Sequence, residues 1–70
     1  MSENIIDGLR SEISRVNEII VVYEHPDLNG AGGIAAYVMK GSISRAEKAL
    51  SEFDTIQMIL SYKALQEYTL

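Results

Sequence analysis

The chain contains no cysteine and no tryptophan, and only one proline, one histidine and one phenylalanine. Without cysteine it can form neither a disulfide nor a cysteine-bound zinc site, the usual staples of folds this small. A single histidine cannot supply a helical H-E-x-x-H metal motif, and no serine stands beside a base in a nucleophile arrangement. Long apolar runs are missing as well. The longest, Ile19 to Tyr23, falls far short of the ~20 residues that cross a bilayer. The opening Met1-Ser2-Glu3-Asn4 has neither the basic region nor the apolar stretch of a secretion signal. These absences lead to the expectation of a cytoplasmic protein with no membrane contact. Basic residues are scarce too: six against ten acidic ones give a net charge of −4, which repels a phosphate backbone and weighs against general DNA or RNA binding.

What is present is a globular balance, 47% hydrophobic and 23% charged over 70 residues. That length allows one domain, residues 1–70, near the lower limit for independent stability. With the staples missing, regular helix packing and oligomerisation are the remaining routes to a stable core, and assembly with copies of the same chain is expected.

The hydrophobic pattern is helical throughout. Ile6, Leu9, Ile13, Val16, Ile20 and Tyr23 recur at three- and four-residue steps on one stripe, with Asp7, Arg10, Ser11, Ser14, Asn17 and Glu18 opposite. Pro26 forces His25 out of the helical region, so a first helix is expected over 3–24. The β-branched run Ile19-Ile20-Val21-Val22 could be read as a strand, but the unbroken heptad upstream outweighs it. After the turn at His25-Pro26-Asp27-Leu28-Asn29, Asn29 can cap a second helix over 29–52, with apolar positions Ala31, Ile34, Ala35, Val38, Met39, Ala46, Ala49, Leu50 and Phe53 at helical spacing. Gly41 is its weak point. The helix either continues there, straight or kinked, or breaks and restarts at the capping-box spacing of Ser44 and Glu47; continuity is preferred.

A third helix over 55–68 is announced by Asp54 and Gln57 as a capping box, with Phe53 and Met58 as a hydrophobic staple. Its apolar residues point in nearly every direction, and one neighbouring helix cannot cover them all. Ile56, Ile59, Leu60, Tyr62, Leu65 and Tyr68 are therefore the expected oligomer interface. The fold class read from sequence is all-α: a small three-helix domain, a helical hairpin plus a third helix, assembling into a homo-oligomeric bundle.

Chemistry-bearing residues are few. Gly30, Gly32 and Gly33 stand at the second helix start with the spacing G-x-G-x-x-A, where free N–H groups can cradle a phosphate; the same small residues equally let backbones approach or shape a turn. Glu24, His25 and Asp27 cluster at the proline turn, but the missing second histidine favours a solvated loop histidine over a metal or catalytic role. Lys40, Arg45 and Lys48 form the one basic concentration, with Tyr37 ahead of them on the same helix. Such donors bind phosphate and a tyrosine ring stacks on a base, although Glu47 and Glu52 nearby also fit a solvated mixed-charge face. Gly30, Gly32, Tyr37, Lys40, Arg45 and Lys48 make up the candidate ligand-binding set. No catalytic residue, metal ligand or cofactor is expected.

The segments Glu12-Ile13-Ser14-Arg15-Val16-Asn17-Glu18-Ile19, Tyr23-Glu24, Asn29-Gly30-Ala31-Gly32, Ala46-Glu47-Lys48-Ala49 and Asp54-Thr55-Ile56-Gln57-Met58-Ile59 together resemble a group of very short phage and prophage proteins, over roughly residues 12–68. The resemblance implies a viral origin and a helical fold, and it carries no catalytic residue across. With the missing catalytic apparatus, it leads to the expectation of a phage accessory protein in the cytoplasm of an infected bacterium. Such a protein would counter host defence by sequestering a nucleotide immune signal at a subunit interface or by occluding a protein target. The alternative is a structural or regulatory helical oligomerisation module. Leu9-Arg10 with Ile13, Val16 and Ile20 also resembles the first helix of chorismate mutases. The position for that helix's second active-site arginine falls in the His25–Asp27 turn, and the chain is shorter than the pattern requires, so an enzyme of that kind is not expected.

Overall fold

The computed structural model describes residues 4–70. They form α1 (Ile5–Tyr23), a 3-10 turn (Pro26–Leu28), α2 (Gly33–Ser51) and α3 (Thr55–Gln66), with no strand among the described residues. Residue 3, the expected start of α1, lies outside them. Asn4 caps α1 by accepting the Asp7 N–H at 2.9 Å. The stripe read from the sequence is the buried one: Leu9, Val16 and Ile20 are in the core, Ile6, Ile13 and Tyr23 are half-buried against it, and the polar set opposite is exposed. The β-branched run is helical because Ile19 and Ile20 continue that stripe, so packing overrides the local strand preference. His25, extended at ψ 136° before Pro26, ends the helical path.

The second helix begins later than expected. Asn29 does not cap it; it sits in the left-handed region at φ 50° and closes the 3-10 turn, and Gly30 follows at φ 81°. Successive N–H to C=O bonds from Ala31 to Leu28 and from Gly33 to Gly30 carry the chain round. A glycine-rich stretch gives up too much conformational freedom to be helical without packing, so α2 starts at Gly33, with Gly32 as a cap that offers no side-chain bond. Gly32 is required for a different reason. A Cβ there would come within 2.2 Å of the Tyr23 carbonyl oxygen, so only glycine lets the two arms of the hairpin meet.

From Gly33 the helix runs unbroken through Gly41 and Ser42 to Ser51, and Ser44 and Glu47 start nothing new. An internal glycine costs about 1 kcal/mol, less than the burial of Met39, Ile43 and Ala46 around it provides. The apolar residues of α2 form two stripes, of which one faces inward. Ala36, Met39, Ile43, Ala46 and Ala49 are buried, whereas Ile34 and Val38 are exposed. Helix α2 ends in a Schellman motif: the Asp54 N–H reaches the Ala49 carbonyl at 3.0 Å and the Phe53 N–H the Leu50 carbonyl at 3.2 Å. The left-handed position is filled by Phe53 at φ 51°, where glycine is usual and a side chain costs roughly 1–2 kcal/mol.

Asp54 caps α3 by accepting the Gln57 N–H at 3.1 Å. The expected staple does not form a closed pair: Met58 is buried but Phe53 keeps 76% of its surface exposed. Helix α3 ends at Gln66, two residues earlier than expected. It runs parallel to α1 and antiparallel to α2. Gly8 admits the edge of the Tyr62 ring, 3.2 Å from where a Cβ would stand. Further along, Arg15 donates to the Leu65 carbonyl at 2.8 Å and the Tyr68 carbonyl at 2.7 Å. Those bonds tie the end of α3 and the residues after it to α1, and Glu12, 3.0 Å from the guanidinium, holds the arginine in place. Each pair among α1, α2 and α3 is in contact. Twelve residues of α3 span about 18 Å against about 28 Å for each nineteen-residue arm, so the hairpin end near the 3-10 turn has no third helix over it.

Replacing Gly32 with Ala should lower stability by about 2 kcal/mol or more, the range for a backbone clash in a packed turn. Gly33→Ala, with open space around it, should be neutral or stabilising by up to about 1 kcal/mol; urea denaturation of the two variants makes the comparison. By the same assay Arg15→Ala should cost about 1–2 kcal/mol, while Arg10→Ala on the exposed side of α1 should stay within about 0.5 kcal/mol.

Candidate functional site

The outer face of α2 carries a surface groove of about 510 Å³, lined by Tyr37, Val38, Lys40, Gly41, Ser44 and Arg45. The helical repeat makes it, because Tyr37, Lys40 or Gly41, and Ser44 follow one another at three- and four-residue steps on one side. Gly41 contributes by having no side chain, which leaves the floor low. Tyr37 is 79% exposed, with its ring free to stack. Lys40 donates to Glu24 at the end of α1. This pair is exposed on both sides and such pairs contribute little to stability, so the ammonium can be drawn to a stronger anion.

Arg45 is shared by three adjoining depressions. Besides the main groove it lines one of about 210 Å³ with Lys48, Ala49, Glu52 and Gln57. It also lines another of about 210 Å³ with Ser42, Leu60, Ser61 and Ala64 between α2 and α3. It is in no ion pair among the described residues; its guanidinium donates to Ser42 Oγ at 3.2 Å. Ser42 is buried and lies 2.8 Å from the Tyr68 hydroxyl. Because arginine only donates, Ser42 Oγ accepts from it, and the Ser42–Tyr68 contact fixes the serine. Ser42 thus joins Arg45 on the surface to Tyr68 at the end of α3. Nothing in the sequence reading singled out Ser42 or Arg15. The available signal was a small hydroxyl between Met39 and Ala46 on the inward stripe, and a cation three residues after Glu12 beside a buried one.

Of the candidate ligand-binding residues, Tyr37, Lys40 and Arg45 meet at one groove, and Lys48 at the next. Gly30 and Gly32 do not join them. They stand ahead of α2 and do not line this groove, Gly32 being five residues before Tyr37, roughly 8 Å along a helix axis. Their conformations answer to the turn and to Tyr23. The expected interface set also divides. Leu65 is wholly inside the chain's own core, and Tyr62 and Tyr68 are half-buried against that core. Ile56, Ile59 and Leu60 remain exposed. The reason is that α3 packs on two helices of its own chain rather than one.

At the turn, His25 Nδ1 accepts the Asp27 N–H at 3.1 Å. That nitrogen is therefore occupied as an acceptor, and the Asp27 carboxylate at 3.6 Å is a looser neighbour. Among the described residues no group of three or more His, Cys, Asp or Glu is placed to hold a metal ion, and no helix is long and apolar enough to cross a membrane. No family model, curated protein or solved structure matches the chain.

Leu65→Ala should destabilise the fold by about 2–5 kcal/mol, the cost of a cavity in a core. Tyr68→Phe, which removes one partner of buried Ser42, should cost about 1 kcal/mol; thermal denaturation followed by circular dichroism measures both.

Proposed function

We propose that this chain is a non-enzymatic, phage-type accessory protein that counters host defence by holding a nucleotide signal against the outer face of α2, in an assembly with its own copies. The observation that carries this reading is the groove of about 510 Å³ in which an exposed tyrosine, Tyr37, stands with Lys40 and Arg45. A ring for a base and two cations for phosphate are the elements that nucleotide capture needs. The volume lies within the ~300–1,000 Å³ of small-molecule sites. Such sites enclose most of their ligand, whereas this groove is open along one helix, so a second copy closing over it fits the reading. Among the described residues no His, Asp or Glu lines the groove, which suits retention rather than turnover. The phage setting and the defence target come from the sequence resemblance. The exposed Ile34 and Val38 beside the groove would serve the same role against a protein target.

A second reading, a helical self-assembly module without a ligand, is favoured by the exposed Ile56, Ile59 and Leu60 on α3. Calorimetric titration with a panel of cyclic nucleotides separates the two. Capture predicts an affinity that weakens roughly 10- to 100-fold in Arg45→Ala and in Lys40→Ala, the value of a charged hydrogen bond to phosphate. Silence across the panel removes the nucleotide reading, and a processed nucleotide recovered after incubation overturns the non-enzymatic one.

A further inference from the structure

Gly41 is not required by the fold. It lies in the middle of α2 with helical backbone, and the nearest atom to a Cβ built there is Arg45 Nη1 at 3.9 Å, an ordinary van der Waals distance. Alanine would fit, and it would spare the helix the conformational freedom that an interior glycine gives up. This sets Gly41 apart from Gly8, which admits the Tyr62 ring, from Gly32, which meets the Tyr23 carbonyl, and from the left-handed Gly30. What lies over Gly41 is the groove on α2. A helical glycine that neither conformation nor packing demands, on the floor of an open groove, suits close approach of a ligand to the backbone.

Tyr37, Gly41 and Arg45 follow one another at four-residue steps, in a row on one side of the helix. Helical side chains lean toward the N-terminus, and Arg45 does so here: its Nη1 lies near Gly41 and its Nη2 donates to Ser42 Oγ at 3.2 Å. Because Ser42 is buried and held by the Tyr68 hydroxyl, the guanidinium is tethered to the interior and makes a fixed wall. The exposed Tyr37 ring is the opposite wall.

We infer that this row is a slot for a planar nucleobase, with the Tyr37 ring on one side, the Arg45 guanidinium on the other and Gly41 as the floor. Gly41 is thereby the specificity-determining residue of the groove. An aromatic ring and a guanidinium plane both stack on a base, and a methyl group on the floor lifts the base away from both. The edge of the guanidinium and Lys40 stay free for phosphate. The slot rests on the nucleotide reading above and assigns the ligand's base to one part of that groove.

Calorimetric titration of wild type, Gly41→Ala and Tyr37→Leu with the cyclic nucleotides, and separately with inorganic pyrophosphate, tests it alongside thermal denaturation. Gly41→Ala should raise the melting temperature by about 4 °C or more. It should also weaken nucleotide binding roughly 5- to 100-fold, the measure of a lost base stack, while pyrophosphate binds as it does to wild type. Tyr37→Leu should weaken the nucleotide likewise and spare pyrophosphate, and in wild type the Tyr37 ring proton resonances should move upfield when the nucleotide is added. A residue with a purely structural role does not trade affinity for stability in this way. Nucleotide binding equally tight in Gly41→Ala, or pyrophosphate binding that falls in parallel, overturns the slot and leaves nucleotide capture standing. A wild-type chain silent toward every nucleotide removes capture and slot together, whether or not it binds pyrophosphate.

Discussion

A twelve-residue third helix has to seal a hairpin whose two arms run nineteen residues each, and the other features follow from that mismatch. Helix α3 lies in the angle between α1 and α2 and buries Met58 and Leu65 there, which closes the core at the end where Leu9 and Ala46 sit. Toward the 3-10 turn the arms must hold each other unaided. They do so by the buried Ile19, Ile20, Ala36 and Met39 and by the close approach of Gly32 to Tyr23. The apolar residues left uncovered include Ile34, Tyr37 and Val38 above and Ile56, Ile59 and Leu60 on the back of α3.

Much of the fold was legible because the inward stripe of α1 and the cap at Asp54 are local signals. Leu9, Val16 and Ile20 repeat at heptad spacing, and a carboxylate three residues ahead of a free N–H has few other uses. What the sequence concealed depends on three dimensions. Helix α2 has apolar residues on two stripes, and only the position of α3 decides that Met39 and Ile43 go inward while Ile34 and Val38 stay out. The late start of α2 follows from the left-handed Asn29 and Gly30, and a cap-forming asparagine looks the same in sequence whether it begins a helix or closes a turn. The uninterrupted passage through Gly41 reflects packing that outweighs a weak propensity.

The candidate site was half legible. Tyr37, Lys40 and Arg45 share a helix face by spacing alone, and that placement could be read directly. The glycines were grouped with them by chemistry, and they do not line the groove that Tyr37, Lys40 and Arg45 share. On α3, uniform hydrophobicity indicated more partners than one. Two of those partners are in the same chain, which accounts for Leu65 and Tyr62 and leaves only the outer ridge unexplained by intramolecular packing. Ser42 and Arg15 escaped notice because a buried hydroxyl and a half-buried guanidinium are recognisable only once their partners, Tyr68 and the carbonyls at the end of α3, are in place.

The bonds from Arg15 to the Leu65 and Tyr68 carbonyls join residues 50 and 53 positions apart, and this gives them a place in time as well as in space. Helix α1, the turn and α2 can form a hairpin from near neighbours, whereas closing so long a span carries an entropic cost that is met only once α3 is already seated. The arginine therefore fastens late, and a contact of that kind acts more on how slowly the chain comes apart than on the rate at which it comes together.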